Sequence, residues 1–412
     1  MTLPKEGRKL GIYESLGVSP VINAAGTLTR LGGTVMRPEV RDAMSEAAGS
    51  LVPIDELQAA ASKAIAEACG SDAGYVASGA SAGLTLGTAA CMVGLDVAAM
   101  DRLPSTANNG RNEVIICRPH RNSYDHAYRA AGATLVEVGM SDRYTGVGVR
   151  ETEIWEIEAA ITERTAAIAY TASPTSFPAL TAVTAMARKR GIPVIVDAAG
   201  QLPPPSNLRR FIAEGADLVS FSGGKAIRGP QGTGILAGRR DLIASVALQQ
   251  LDMDVTFELW NPPAELVPKD KLAGAPRHGV GRGYKAAKEQ IVGLLVALRL
   301  FTEESARKDY DRWMGLLKGI EDGLQRCTHA KTAWLLPKYA LGFPLLEIQL
   351  DEKSLGLTAY DVARKMKEGK PAIHVGERKV MEGSILIHPA NLDDASADSL
   401  VGRLRSVLGC PA

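Results

Sequence analysis

Short runs of consecutive apolar residues punctuate the chain. Val114 to Cys117 (VIIC), Thr134 to Val138 (TLVEV), Ala166 to Thr171 (AAIAYT), Val194 to Asp197 (VIVD), Leu218 to Phe221 (LVSF) and Gly234 to Ala237 (GILA) have the length and character of strands. Between them lie helical candidates: Asp125 to Ala131, Glu153 to Thr162, Ala179 to Arg190 and Asn207 to Glu214. Apolar strands separated by helices predict an α/β fold whose mostly parallel sheet is covered on both faces. Ligands of such sheets bind beyond the carboxyl ends of the strands, so the residues just after each strand carry most of the functional information.

A Pro- and charge-rich stretch, Asn261 to Arg282, breaks this rhythm. A long helix is expected over Lys285 to Glu304, then strands at Leu345 to Leu350 and Ser384 to His388, with helices near Ala359 to Lys367 and Ala395 to Val407. The expected organisation is an N-terminal segment over residues 1–20, a large domain over 21–289 and a small C-terminal α/β domain over 290–412. The apolar run Leu84 to Met100 is rich in Ala and Gly and contains Asp96, so it reads as a buried helix and not a membrane span.

Charge narrows the partners. Lys and Arg total 47 against 46 Asp and Glu, a net charge of +1, which gives no reason to expect nucleic acid or an anionic membrane. The five cysteines, Cys69, Cys91, Cys117, Cys327 and Cys410, form no CxxC pair. Neither a disulfide framework nor a metal site is expected from them, and a reducing, cytoplasmic compartment fits best. The opening MTLPKEGRKL lacks the apolar core of a signal peptide.

Two strand ends stand out. Asp197 closes VIVD, and Lys225 follows LVSF in the glycine-rich turn SGGK. An ammonium held near the interior is costly unless its pKa falls or its amine is used chemically. An aspartate and a lysine converging on one rim suit pyridoxal 5′-phosphate: the lysine takes the aldehyde as a Schiff base and the carboxylate pairs with the ring nitrogen. A buried Asp–Lys salt bridge is the equally weighted alternative from spacing alone. The turn Ser78-Gly79-Ala80-Ser81 precedes a helix and offers small residues, hydroxyls and free N–H groups to a phosphate, although a plain helix cap uses the same residues. Ser222 could reach the same phosphate. His120, in the loop after VIIC, could stack on a flat ring, with Tyr124 a weaker candidate.

Other signatures fail. A P-loop would need Gly at position 220 and Ser or Thr at 226, where the chain has Ser220 and Ala226. No dinucleotide fingerprint opens a helix after a first strand, and the six histidines contain no HExxH.

Taken in order, INAAGTLTRLGG, SGASAG, RPHRNSYDHAY, VDAAG, SFSGGKAIRGPQGTG and GVGRGYKAAKEQIVGLL resemble the selenocysteine synthase-like branch of fold-type-I pyridoxal-phosphate enzymes. Within it they look most like the D-glucosaminate-6-phosphate ammonia-lyase-like proteins. The resemblance spans roughly residues 12–410. It implies the PLP-dependent transferase fold of type I, with a seven-stranded mixed, mostly parallel sheet in the large domain and a small C-terminal α/β domain, assembled as a homodimer or larger symmetric homo-oligomer. It places Lys225 as the Schiff-base lysine, Asp197 as the ring-nitrogen partner, Ser78, Gly79, Ala80, Ser81 and Ser222 at the phosphate, and His120 against the ring. Where the synthase itself reads SGDK this chain reads SGGK, and no basic N-terminal module precedes the core, so tRNA is not the expected substrate.

The expected reaction starts with removal of an α-proton by Lys225. Loss of a β-hydroxyl then gives an enamine that hydrolyses to a 2-keto acid and ammonia. Reprotonation on the other face (racemisation) and selenium or sulfur transfer are the alternatives. Arg282, flanked by glycines in GVGRG, is the first candidate for the substrate carboxylate. Arg277, His278, Lys285 and Lys288 would suit a phosphorylated substrate. Thr29 and Arg30, after an expected strand at Pro20 to Asn23, are further substrate candidates.

Overall fold

The computed structural model describes residues 11–105, 110–140 and 151–410. The opening MTLPKEGRKL lies outside them. The chain forms two compact units, Met36–Ser305 and, combined, Met1–Val35 with Ala306–Ala412.

The first strand, β1 (Ile22–Ala24), pairs with a strand some 350 residues downstream, described below. In the large unit β2 (Ala73–Ala77), β3 (Glu113–Cys117), β4 (Thr134–Val138), β5 (Thr165–Thr171), β6 (Val194–Asp197), β7 (Leu218–Ser222) and β8 (Gly234–Gly238) build one seven-stranded sheet. Its order is β2-β8-β7-β6-β5-β3-β4. β8 runs antiparallel to both neighbours and the remaining pairs are parallel, the mixed sheet that was expected. Ile115, Ile116, Ile168, Ile195 and Leu218 are fully buried in it, which is why these strands read as continuous apolar runs. The helix Ala80–Val93 is buried along nearly all its length and packs into the same core as the helix Arg240–Gln250. The apolar run Leu84 to Met100 is thus two helices, because Gly94 at φ 55° stops the first and Asp96 caps Val97–Met100.

In the smaller unit β9 (Ala330–Leu335), β10 (Leu345–Leu350) and β12 (Ser384–Ile387) form an antiparallel sheet in the order β12-β10-β9, and β11 (Ile373–Val375) pairs in parallel with β1. Leu317, Ile320, Ile348, Met366, Leu400 and Leu404 fill its core.

Three expectations need correction. The helix expected over Lys285 to Glu304 ends at Leu300, and a second, Glu303–Leu324, starts almost at once. Thr302 and Ser305 cap that start reciprocally, each backbone N–H donating to the other's hydroxyl at 3.0 and 3.2 Å. The helix Lys288–Leu300 belongs to the large unit, not to the small one. Gly293 lets it approach the helix Pro38–Ala48 so closely that a Cβ there would lie 2.6 Å from the Met44 side chain. Residues 21–35 go the other way, drawn into the smaller unit by the β1–β11 pairing. Finally, Cys327 and Cys410 form a disulfide with their Cα atoms 4.7 Å apart, where sequence spacing gave no sign of one. Cys69, Cys91 and Cys117 are free.

No helix among the described residues is long and apolar enough to cross a membrane.

Candidate active site

β2, β3, β5, β6 and β7 all run the same way, so their carboxyl ends share one edge of the sheet with the start of β8. The register lines up that edge. Thr171 lies beside Asp197, Asp197 beside Ser220, Ser222 beside Gly234, and Gly234 beside Ala77. Ser78, His120, Asp197, Ser222 and Lys225 all sit at or just beyond these strand ends.

The turn that carries Lys225 folds back on the segment Pro230–Gly234. Gly223 N–H donates to the Thr233 carbonyl at 2.9 Å, and Gly229 N–H to the Gly223 carbonyl at 2.9 Å. Both glycines are needed. A Cβ on Gly223 would lie 2.2 Å from Thr233 Oγ1, and one on Gly224 2.4 Å from the Gln231 Cα. The SGGK and GPQGT sequences are therefore one tight double turn that fixes the backbone of Lys225.

Asp197 ends β6 with Oδ1 accepting the Ala199 N–H at 3.0 Å. Burial pushes its pKa up; that hydrogen bond and the positive charge of Lys225 oppose it. Asp197 ends β6 and Lys225 follows β7, its parallel neighbour, so both lie at one edge of the sheet.

The Ser78–Ser81 turn caps the helix Ala80–Val93 through Gly79, at φ 121° and ψ 163°, a conformation open only to glycine. Nothing lies within 4 Å of where its Cβ would stand, whereas a Cβ on Gly234 would be 2.3 Å from the Gly79 carbonyl carbon. β8 thus presses the turn outward from below and leaves open space above it, at the N-terminus of a helix of 14 residues. Open space at a helix N-terminus, lined by small residues, has the form and charge that suit a phosphate.

His120 is 4% exposed and packs edge-on against Tyr170, ring centroids 4.6 Å apart. Neither ring nitrogen makes a hydrogen bond of good geometry, and the Phe177 backbone acts on the ring only as a weak acceptor. Burial holds its pKa down at about 4, with the Phe177 backbone opposing more weakly. A neutral ring that spends no nitrogen on a well-formed hydrogen bond suits contact through its face. Tyr124, the weaker candidate, is exposed.

The substrate candidates divide. Arg282 lies in the large unit, bound to Asp252 at 2.9 Å, and its charge is felt by the buried Tyr75 hydroxyl. The glycines around it serve close packing: a Cβ on Gly279 would lie 2.6 Å from Gln249 Oε1, and one on Gly281 2.2 Å from Leu86. Lys288 caps the carbonyls of Ala47 and pairs with Glu289, so it serves structure. Thr29 and Arg30 belong to the smaller unit, where Arg30 pairs with Glu377 at 3.7 Å.

Sequence reasoning passed over Thr171. Its Oγ1 donates to the His120 carbonyl at 2.8 Å while its backbone pairs with Asp197, joining the two. It closes a strand, so the rule that selected Asp197 selects it too. Tyr128, fully buried and raised in pKa by burial and by the nearby Asp197 charge, had no such signal in the sequence.

The fold and this edge define a pyridoxal-phosphate-dependent enzyme of fold type I. The orphaned His120 ring, the open cradle at Gly79 and the Lys225–Asp197 pair all fit that cofactor. The chain belongs to the SelA family, whose model, described as L-seryl-tRNA selenium transferase, matches residues 21–256. It is 32% identical to a 5′-C-glycyluridine monooxygenase-decarboxylase from a Streptomyces species, over 96% of this chain and 92% of that one. It is 28% identical to D-glucosaminate-6-phosphate ammonia lyase from Salmonella typhimurium, over 96% and 97%. A solved structure of a D-glucosaminate-6-phosphate ammonia-lyase superposes with a TM-score of 0.78 at 27% identity, covering 98% of this chain and 99% of that one.

Proposed function

We propose that this protein is a pyridoxal-phosphate-dependent lyase that converts a 2-amino-3-hydroxy acid, of the amino-acid or sugar-amino-acid class, to a 2-keto acid and ammonia. The observation that carries the reading is Asp197 at the end of β6 and Lys225 in the tight turn after the neighbouring parallel strand β7, on the same edge as the open Gly79 turn. The near full-length likeness to an ammonia lyase supports the reaction type.

When bound, the cofactor supplies an aldehyde that takes up the substrate amine and a ring that accepts electron density. Ser78, Gly79, Ala80, Ser81 and Ser222 would hold its phosphate, His120 would lie against its ring, and Asp197 would pair with the ring nitrogen. Lys225 Nζ, as a free amine, would take the proton from Cα. The same ammonium returns a proton to the departing β-hydroxyl, which leaves as water. Hydrolysis then consumes one water, so the sum is amino hydroxy acid to keto acid plus ammonia. Arg282, and from the smaller unit Arg30 and Thr29, are the groups assigned to the substrate. A phosphorylated substrate, a cytoplasmic location and a homo-oligomer complete the reading; the exposed Ile12, Tyr13 and Leu16 support the last.

An absorbance spectrum tests the first step. The purified protein should show a visible cofactor band that borohydride bleaches, with the label on Lys225, and Lys225→Ala should lack it. A protein that stays colourless with added pyridoxal phosphate overturns the reading. Phosphorylated and plain 2-amino-3-hydroxy acids should then yield keto acid and ammonia in equal amounts. The 32% identical relative favours a second reading, in which the same site consumes oxygen and releases carbon dioxide from an amino acid attached to a nucleoside. Oxygen uptake without ammonia release would select it.

A further inference from the structure

The cradle is not held by its own turn alone. Tyr75 is fully buried in β2, and its hydroxyl donates to Gln250 Oε1 at 2.7 Å. The Gln250 amide nitrogen donates to the Tyr284 carbonyl at 3.2 Å. The same carbonyl accepts the Ser78 N–H at 3.2 Å, so both its lone pairs are in use. Four residues from β2, the helix Arg240–Gln250, the 3₁₀ turn Val280–Tyr284 and the cradle form one chain of hydrogen bonds inside the large unit. Its middle member, Gln250, is 3% exposed and spends both ends of its amide on the chain. The neighbouring Gln249 underlies Gly279 and Gly281 so tightly that the 3₁₀ turn cannot shift toward the helix.

We infer that Gln250 is a positioning residue for the cofactor phosphate. It aims the Tyr284 carbonyl at the Ser78 N–H and so fixes the Ala77–Ser78 peptide, the entry to the turn, whose orientation sets where the N–H groups that follow it point. Losing the amide frees that carbonyl and lets the Ser78 turn relax, while the ring-binding residues, His120, Asp197 and Lys225, keep their places. The loss should therefore fall on the phosphate end alone. This inference rests on the reading of Ser78–Ser81 as the phosphate cradle.

Dissociation constants for pyridoxal phosphate and for phosphate-free pyridoxal, read by absorbance titration of the apoprotein, test it. Gln250→Leu, close in volume but without the amide, should weaken pyridoxal phosphate about tenfold and leave pyridoxal nearly unchanged, narrowing the ratio between them. Gln250→Met, unbranched and without either end of the amide, should behave the same way. Ser245→Ala is the control. It lies on the same helix, and its buried hydroxyl donates to the Gly94 carbonyl. It should lower the apoprotein's melting temperature without moving either constant. Equal weakening of both ligands in the Gln250 variants, or no weakening at all, overturns the inference. If Ser78→Ala and Ser81→Ala also leave the pyridoxal phosphate constant unchanged, the cradle reading itself has failed.

Discussion

Ser220 Oγ donates to the Ala80 carbonyl at 2.8 Å, tying the strand that leads to Lys225 to the first residue of the cradle helix. Gly83, one turn further on, packs against the same hydroxyl. A Cβ there would lie 2.7 Å from Ser220 Oγ and 3.6 Å from Ser220 Cβ. The two positions are therefore coupled. Gly83→Ala should cost about 1–3 kcal/mol through overpacking, and Ser220→Ala about 1 kcal/mol through the lost hydrogen bond. The double variant should be more stable than their sum, because removing the hydroxyl makes room for the methyl. Denaturant melts of the four proteins close the cycle; strict additivity would refute the contact.

His120 gives a different kind of test. Its ring nitrogens make no well-formed hydrogen bond, so a ring of similar shape should replace it. His120→Phe should hold pyridoxal phosphate within about threefold of the parent, whereas His120→Ala should lose on the order of tenfold with the stacking surface. A variant pair that behaves alike would show that the ring face is not used.

The same histidine bears on acid stability. Burial lowers its pKa from 6.5 to about 4. Between those values the unfolded chain binds a proton that the folded chain refuses. Stability is therefore fully present above pH 6.5 and falls as pH drops toward 4. His120→Phe removes that titration, so the apoprotein's melting temperature should decline less steeply over this window. An unchanged slope would mean that His120 is protonated in the fold.

Asp197 carries the opposite linkage. Its folded pKa is raised, so its stabilising state is the protonated one, and stability is lost as pH rises from the ordinary carboxylate range through the folded value. Asp197→Asn should make the apoprotein more stable than the parent at neutral pH, with the advantage vanishing in acid. The same substitution should cripple keto-acid release. A variant less stable at neutral pH would show that the carboxylate is satisfied without the cofactor.

The Cys327–Cys410 bond is directly countable. Denatured under non-reducing conditions, the protein should titrate three free thiols, and five after reduction. Cys327→Ser should cost the smaller unit about 2–4 kcal/mol. Five thiols without reduction would exclude the bond.

The sequence made the parallel strands legible because they are buried on both faces and rich in Val and Ile. β2 was not read as a strand, since Ala73, Gly74 and Ala77, residues depleted in strands, surround only Tyr75 and Val76. The positions of Lys225, Asp197 and the Ser78–Ser81 turn at one edge of the sheet were legible because each ends or follows a strand or opens a helix. Gln250 and Tyr284 were not, because their value lies in hydrogen bonds across 175 and 34 positions that no local pattern encodes. The disulfide was hidden for the same reason, its cysteines standing 83 residues apart.

The pairing of β1 with β11 sets an order of events at the ribosome. The large unit, Met36–Ser305, is one uninterrupted stretch and has all its strands once synthesis passes residue 305. The smaller unit draws on segments from either side of that stretch. Ile22–Ala24, made before the large unit, must wait for Ile373–Val375, made after it. A nascent chain stalled before that point carries a complete seven-stranded sheet and a strand β1 with no partner, exposed to pairing with other chains.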